Sequence, residues 1–149
     1  MAGEVEVMGE EELIAKLIRA GSLTVEDILE ALMVGGEILR DEMKQQIDRQ
    51  GLVDKGELKG SMAAQIVRKV VYIGTDQGFR ARIHETGGII SRKRARALKL
   101  VAGGGWKTKQ QVSIPARPFM RPAVDAAANQ MQVEINQKLR VVLRRRIGI

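Results

Sequence analysis

Ile114-Pro115-Ala116-Arg117-Pro118-Phe119-Met120-Arg121-Pro122-Ala123 is the stretch from which the fold of this chain is read. Just before it, Val112-Ser113-Ile114 has the composition of a last strand, and Pro115 and Pro118 end it because proline cannot donate to a ladder. Just after it, Pro122 suits the first turn of a helix, where a missing N–H is no loss. Val124, Ala128, Met131, Ile135, Leu139 and Val142 then recur at helical steps and predict a long apolar stripe. The prolines stiffen the corner between strand and helix and lower the entropy of the unfolded chain. Phe119 is placed to plug a core between two long helices. Arg117, held between prolines, offers a fork to a carboxylate, either Glu85 or an acidic residue of a neighbouring copy. A plain exposed charge is an equally good reading of Arg117. Arg140, Arg144, Arg145 and Arg146 crowd the helix end, where cations complement the dipole; that role is at least as good as a binding one.

The other long helix lies upstream. Thr24 can cap it, and Glu26 and Asp27 sit in its first turn, where the dipole favours negative charge. Val25, Ile28, Leu29, Leu32, Leu39, Met43 and Ile47 share one stripe, and Gly51 stands where a left-handed cap is expected. Gly35 and Gly36 interrupt the pattern, as a weak point or, on the better reading, a notch where another segment packs close. Before this helix, residues 1–8 read as a loose arm or an added strand, and Glu10–Ala20 as a short helix ended by Gly21.

Between the two helices the pattern turns to β. Ala63–Thr75 is rich in β-branched and aromatic residues, apolar on both faces, and reads as one strand inside a sheet stopped by Gly74. Phe79–Glu85 reads as a helical turn ended by Gly87-Gly88. Residues 89–111 mix Ile89, Ile90, Leu98, Leu100 and Val101 with seven bases around a Gly103-Gly104-Gly105 tip, the pattern of a long, mobile β-hairpin. The whole chain reads as one domain, 1–149, without an internal repeat.

Charge sorts along the chain. The net charge is +7, yet residues 1–60 carry 14 acids against 7 bases, and residues 80–121 carry 11 bases against Glu85 alone. The asymmetry implies nucleic acid, an acidic partner, or copies of the chain packed acid against base, with a merely solvated basic surface as the bland reading. Cysteine is absent, which removes disulfides, thiolate zinc sites and cysteine nucleophiles together. No apolar run approaches the roughly 20 residues that cross a bilayer, and an acidic N-terminus does not resemble a signal peptide. The expectation is a chain made in the cytosol, with no membrane partner.

Catalysis finds no foothold. His84 is the only histidine, no serine sits in a nucleophile elbow, and Gly103-Gly104-Gly105-Trp106-Lys107-Thr108 lacks the spacing of a phosphate loop. Glu10, Glu11 and Glu12 are adjacent and point in different directions on a helix. A metal site would need His84 and Glu85 plus distant ligands. We expect no enzyme, no catalytic residues, no metal and no cofactor. The basic stretch suits sequence-blind contact with phosphates, and Trp106 suits anchoring the hairpin tip on another protein better than stacking on a base.

Three motifs carry a resemblance. Gly56-Glu57-Leu58-Lys59-Gly60-Ser61, with Lys55 where a threonine is usual, precedes the strand region. Ala81-Arg82-Ile83-His84-Glu85-Thr86-Gly87-Gly88 follows, with Phe79 one residue from the place of a usual tyrosine. Ile114-Pro115-Ala116-Arg117-Pro118-Phe119 is the most specific. In this order and spacing they resemble the phage neck and tail-completion family, also described as virion morphogenesis or minor tail proteins, over the chain from about residue 25 onward.

The resemblance implies an α+β subunit with two long helices on a small, mostly antiparallel sheet and an extended basic hairpin. It implies a homo-oligomeric ring in the virion neck, joining the head connector to the tail tube or its terminator around double-stranded DNA. A tail terminator and a neck protein remain equal alternatives. Arg92, Lys93, Arg94, Arg96, Lys99, Lys107 and Lys109 are the candidate contacts to the DNA lumen or to a neighbouring ring. Trp106, Arg117, Phe119 and Glu85 are the candidate subunit contacts. The alternative from another class is a free, non-specific nucleic-acid-binding protein.

Overall fold

A computed structural model describes residues 21, 23–52, 56–91, 98–102 and 105–147. The chain is α+β, in the order α1 (Val25–Arg49), α2 (Glu57–Gly60), β1 (Ala63–Val67), β2 (Val70–Gly74), α3 (Gly78–Thr86), β3 (Gly88–Ser91), β4 (Leu98–Ala102), β5 (Gly105–Lys109), β6 (Gln111–Ile114) and α4 (Met120–Ile147). The two long helices are those expected. The arm at 1–8 and the short helix at 10–20 lie outside the described residues.

Both ends of α1 follow from local chemistry. Thr24 Oγ1 accepts the Asp27 N–H at 3.2 Å while the Asp27 carboxylate accepts the Thr24 N–H at 2.9 Å, a reciprocal box that satisfies two helix-end donors. At the other end Gly51 adopts φ 62° and donates to Asp48 O at 3.0 Å, and Leu52 donates to Ile47 O at 3.0 Å. This paired closure needs a left-handed residue after the helix, and it buries Leu52 on the way out. Gly35 and Gly36 leave α1 unbroken. A Cβ on Gly35 would stand 2.6 Å from Ile135 Cδ1, and one on Gly36 would stand 3.0 Å from Val71 Cγ1. They are packing notches.

The strand region differs from expectation in two ways. In place of one strand over 63–75 there are two, β1 and β2, folded back through Arg68 (φ 50°) and Lys69 (φ 65°). Two successive positive φ values give the tight turn whose twist matches paired strands, and it usually falls on Asn or Gly. Two bases in that role leave no sequence signal. The ribbon is also not interior: Ile66, Val67, Val70 and Tyr72 are between 42% and 54% exposed. In place of one small sheet there are three two-stranded ones, β1–β2, β3–β6 and β4–β5. The last two are antiparallel, with Gly88 opposite Ile114 in one and Leu98 opposite Lys109 in the other. Whether they continue one another as a single basic finger turns on residues 92–97, which lie outside the described residues.

The contacts divide into two compact units. The first takes the described residues of Met1–Asp41 with Ala63–Ile73 and Ala127–Ile149; the second takes Glu42–Met62 and Gly74–Ala126. In the first, Leu29, Ala31, Leu39, Ala127 and Val142 are buried. In the second, Met43, Ile47, Leu58, Met62, Ala81, Phe119 and Ala123 are buried, and Phe119 is wholly inaccessible. The aliphatic character expected of the core is what the buried residues have.

Candidate functional site

The second and third sequence motifs meet in the second unit, and the meeting is made mostly of main chain. Glu85, one turn from the end of α3, turns its carboxylate to the start of α4. Oε2 accepts the N–H groups of Phe119 at 2.9 Å and Met120 at 3.0 Å, and Oε1 accepts that of Arg121 at 3.2 Å. Pro122 has no N–H to satisfy, and Ala123 N–H already donates to Phe119 O at 3.2 Å. Every donor at the helix start is thereby accounted for by one side chain and one proline. Negative charge at the positive end of a 28-residue helix adds to the effect.

The neighbouring residues complete the clasp. Arg117 N–H donates to His84 O at 2.7 Å. Gly87 adopts φ 68°, and a Cβ there would stand 2.8 Å from Ala116 N and 3.0 Å from Ile114 O. Only glycine fits, on both counts. Gly88 then starts β3, which pairs back onto β6 and returns to Ile114. The His-Glu-Thr-Gly-Gly and Ile-Pro-Ala-Arg-Pro-Phe motifs are two halves of one corner.

This corner revises two expected subunit contacts and the reading of a third. Phe119 is fully buried, so it serves the fold and offers no surface to a neighbour. Glu85 is committed to the helix start, and among the described residues no ion pair joins it to Arg117. Arg117 is exposed, and its charge falls instead on His84. Burial and, after it, the Arg117 charge hold the His84 imidazole below its ordinary range near 6.5. The side chain is therefore neutral near neutral pH, which fits a structural role.

The remaining candidates separate by position. Arg92, Lys93, Arg94 and Arg96 lie outside the described residues. Lys99 lies in β4 opposite Thr108, Lys107 in β5 opposite Leu100, and Trp106 opposite Val101. Lys109, at the end of β5, is exposed. Among the described residues no group of three acidic, histidine or cysteine side chains could hold a metal, and no helix is long and apolar enough to cross a membrane.

The first unit carries a different kind of surface. Arg146 reaches Asp27 with two bonds of 3.2 Å, and Lys138 reaches Glu30 at 2.6 Å. The Thr24 N–H and then Arg146 hold the Asp27 carboxyl below its ordinary range; hydrogen bonding and charge from Lys138 do the same for Glu30. Pairs set 119 residues apart in sequence leave no local signal, and Arg146 looked like simple dipole compensation. Beside them, Leu29, Met33 and Val34 of α1 and Ile66 of β1 line an open groove of about 540 Å³, rimmed by Glu26, Glu30 and Glu37.

A model of the phage virion morphogenesis family matches residues 34–143 of the chain, a span that holds all three motifs and the whole clasp. No curated protein and no solved structure matches it.

Proposed function

We propose that this chain, which belongs to the phage virion morphogenesis family, is a non-enzymatic ring subunit of the neck of a tailed phage. It joins the head-side connector to the tail, with double-stranded DNA passing through the ring. Its neighbours in the particle are copies of itself, the connector, and the tail tube or its terminator. The clasp carries the reading: three main-chain donors, a proline corner and a glycine without substitute make a rigid junction, which suits a part that must hold its shape under load. The polarity of charge supports assembly, since a head-to-tail contact sets one face of each copy on a different face of the next.

The basic stretch 92–109 is the contact to DNA phosphates or to an adjoining ring. Replacing Arg92, Lys93, Arg94 and Arg96 together with glutamine is expected to leave the fold intact. It should make unjoined heads and tails accumulate, or DNA leak from filled heads. Full infectivity of that variant would contradict the proposal. The excess of bases over 80–121 also favours a second reading, a free nucleic-acid-binding protein. Under that reading the purified chain binds duplex DNA with an affinity that falls steeply with salt, and it is missing from finished particles.

A further inference from the structure

We infer that the acid-rimmed groove on α1 is the socket for the β4–β5 ribbon of a second copy of this chain. The inference rests on the ring reading and names the surface through which copies meet. The groove floor is apolar, from Leu29, Met33, Val34 and Ile66. Lys138 occupies Glu30, which leaves Glu26 and Glu37 as rim carboxylates with no ion pair among the described residues. At 1.5 Å per residue these two stand roughly 16 Å apart along the helix.

The ribbon matches in length and in pattern. Two five-residue strands at about 3.4 Å per residue span roughly 17 Å. The antiparallel register sets Leu98 opposite Lys109 and Leu100 opposite Lys107. Because a strand alternates faces, these four residues share one face of the ribbon. That face is half leucine and half lysine, and the groove is apolar in its floor and acidic at its rim. A phosphate backbone would use the lysines and gain nothing from the leucines, whereas the groove uses both. The ribbon is thus assigned to protein, and the Arg92–Arg96 cluster is left for DNA. Groove and ribbon are different surfaces of the same chain, so each copy has one of each to offer, and the contact propagates from copy to copy until it closes.

The absence of cysteine makes the test clean. Ile66→Cys, at the groove, is placed in one full-length chain, and Ala102→Cys, on the same ribbon face as Leu98 and Leu100, in a second chain with a distinguishable tag. The two are mixed at high concentration, and also co-produced in cells assembling particles, then treated with a short bismaleimide. The expected result is a heterodimeric product that weakens on dilution and is missing when Asp76→Cys, an exposed residue of the second unit, replaces Ile66→Cys. Glu26→Lys with Glu37→Lys should lower the yield roughly tenfold or more, as should Lys107→Glu with Lys109→Glu, and combining the two reversals should restore it.

No heterodimer in either setting overturns the inference. So does a product formed within one doubly substituted chain regardless of dilution, because the ribbon then sits on its own copy. If the product is missing while the chain is still found in the neck of particles, the socket fails and the ring reading stands. If the chain is missing from particles altogether, the ring reading fails with it.

Discussion

The two compact units are held by different physics. The first relies on volume and on long-range charge: Gly35 makes room for Ile135, Gly36 for Val71, and Arg146 and Lys138 reach back to Asp27 and Glu30. The second relies on direction: Glu85, Arg117 and Gly87 act on backbone atoms whose positions are fixed by prolines. Volume can be redistributed among aliphatic side chains, whereas a carboxylate aimed at three N–H groups has few substitutes. The contrast assigns rigidity to the proline corner and tolerance to the helix pair.

The largest expected effect tests the corner through its core. Phe119→Ala should cost about 3–5 kcal/mol in denaturant unfolding, since it empties a wholly buried aromatic site. A loss below about 1 kcal/mol would mean that the corner is not the organising element of its unit. Gly87→Ala comes next, at about 2–3 kcal/mol, because the new methyl meets main-chain atoms that cannot swing aside and φ is positive. Glu85→Ala should cost about 2 kcal/mol and Glu85→Gln less, since the amide keeps one oxygen for three donors. Equal losses for the two would remove the direction argument and leave only burial.

Smaller changes probe the first unit. Gly35→Ala gains helix propensity and loses fit against Ile135, so a net loss of about 1 kcal/mol is expected. Ile135→Val in the same chain should recover part of it, and the non-additivity of the double-mutant cycle is the signature to look for. Simple additivity would show that the notch is not shared.

The smallest effects are in titration. Asp27 is held low, so the stability it contributes is complete above its ordinary value of 3.8 and is lost as pH falls through the lowered one. His84 is also held low, so the folded state binds fewer protons than the unfolded chain below pH 6.5, and acid destabilises through it as well. Arg117→Gln should raise the His84 pKa towards 6.5, measured by NMR; no change would leave burial as the sole cause.

Much of the helical frame was legible because its signals are local. Thr24, Gly51 and the apolar stripes of α1 and α4 each act within a turn or two of themselves. The turn between β1 and β2 was not legible, since Arg68 and Lys69 take a conformation that neither residue advertises. The clasp was half legible. The two motifs and the prolines stood out, but Glu85 was matched to the wrong partner, because a main-chain N–H has no letter in a sequence whereas Arg117 has one. The acid-rimmed groove was hidden for a related reason: Glu26, Glu30 and Glu37 share a face with Leu29 and Met33 only once Ile66 closes the other side.

The most direct test of the central claim is a reconstruction of the head–tail junction in particles whose genome encodes this chain. The account predicts a closed ring of copies there, encircling the DNA, with the proline corner well ordered in each. Particles that lack the chain, or that carry it only as scattered copies bound to packaged DNA, would contradict it.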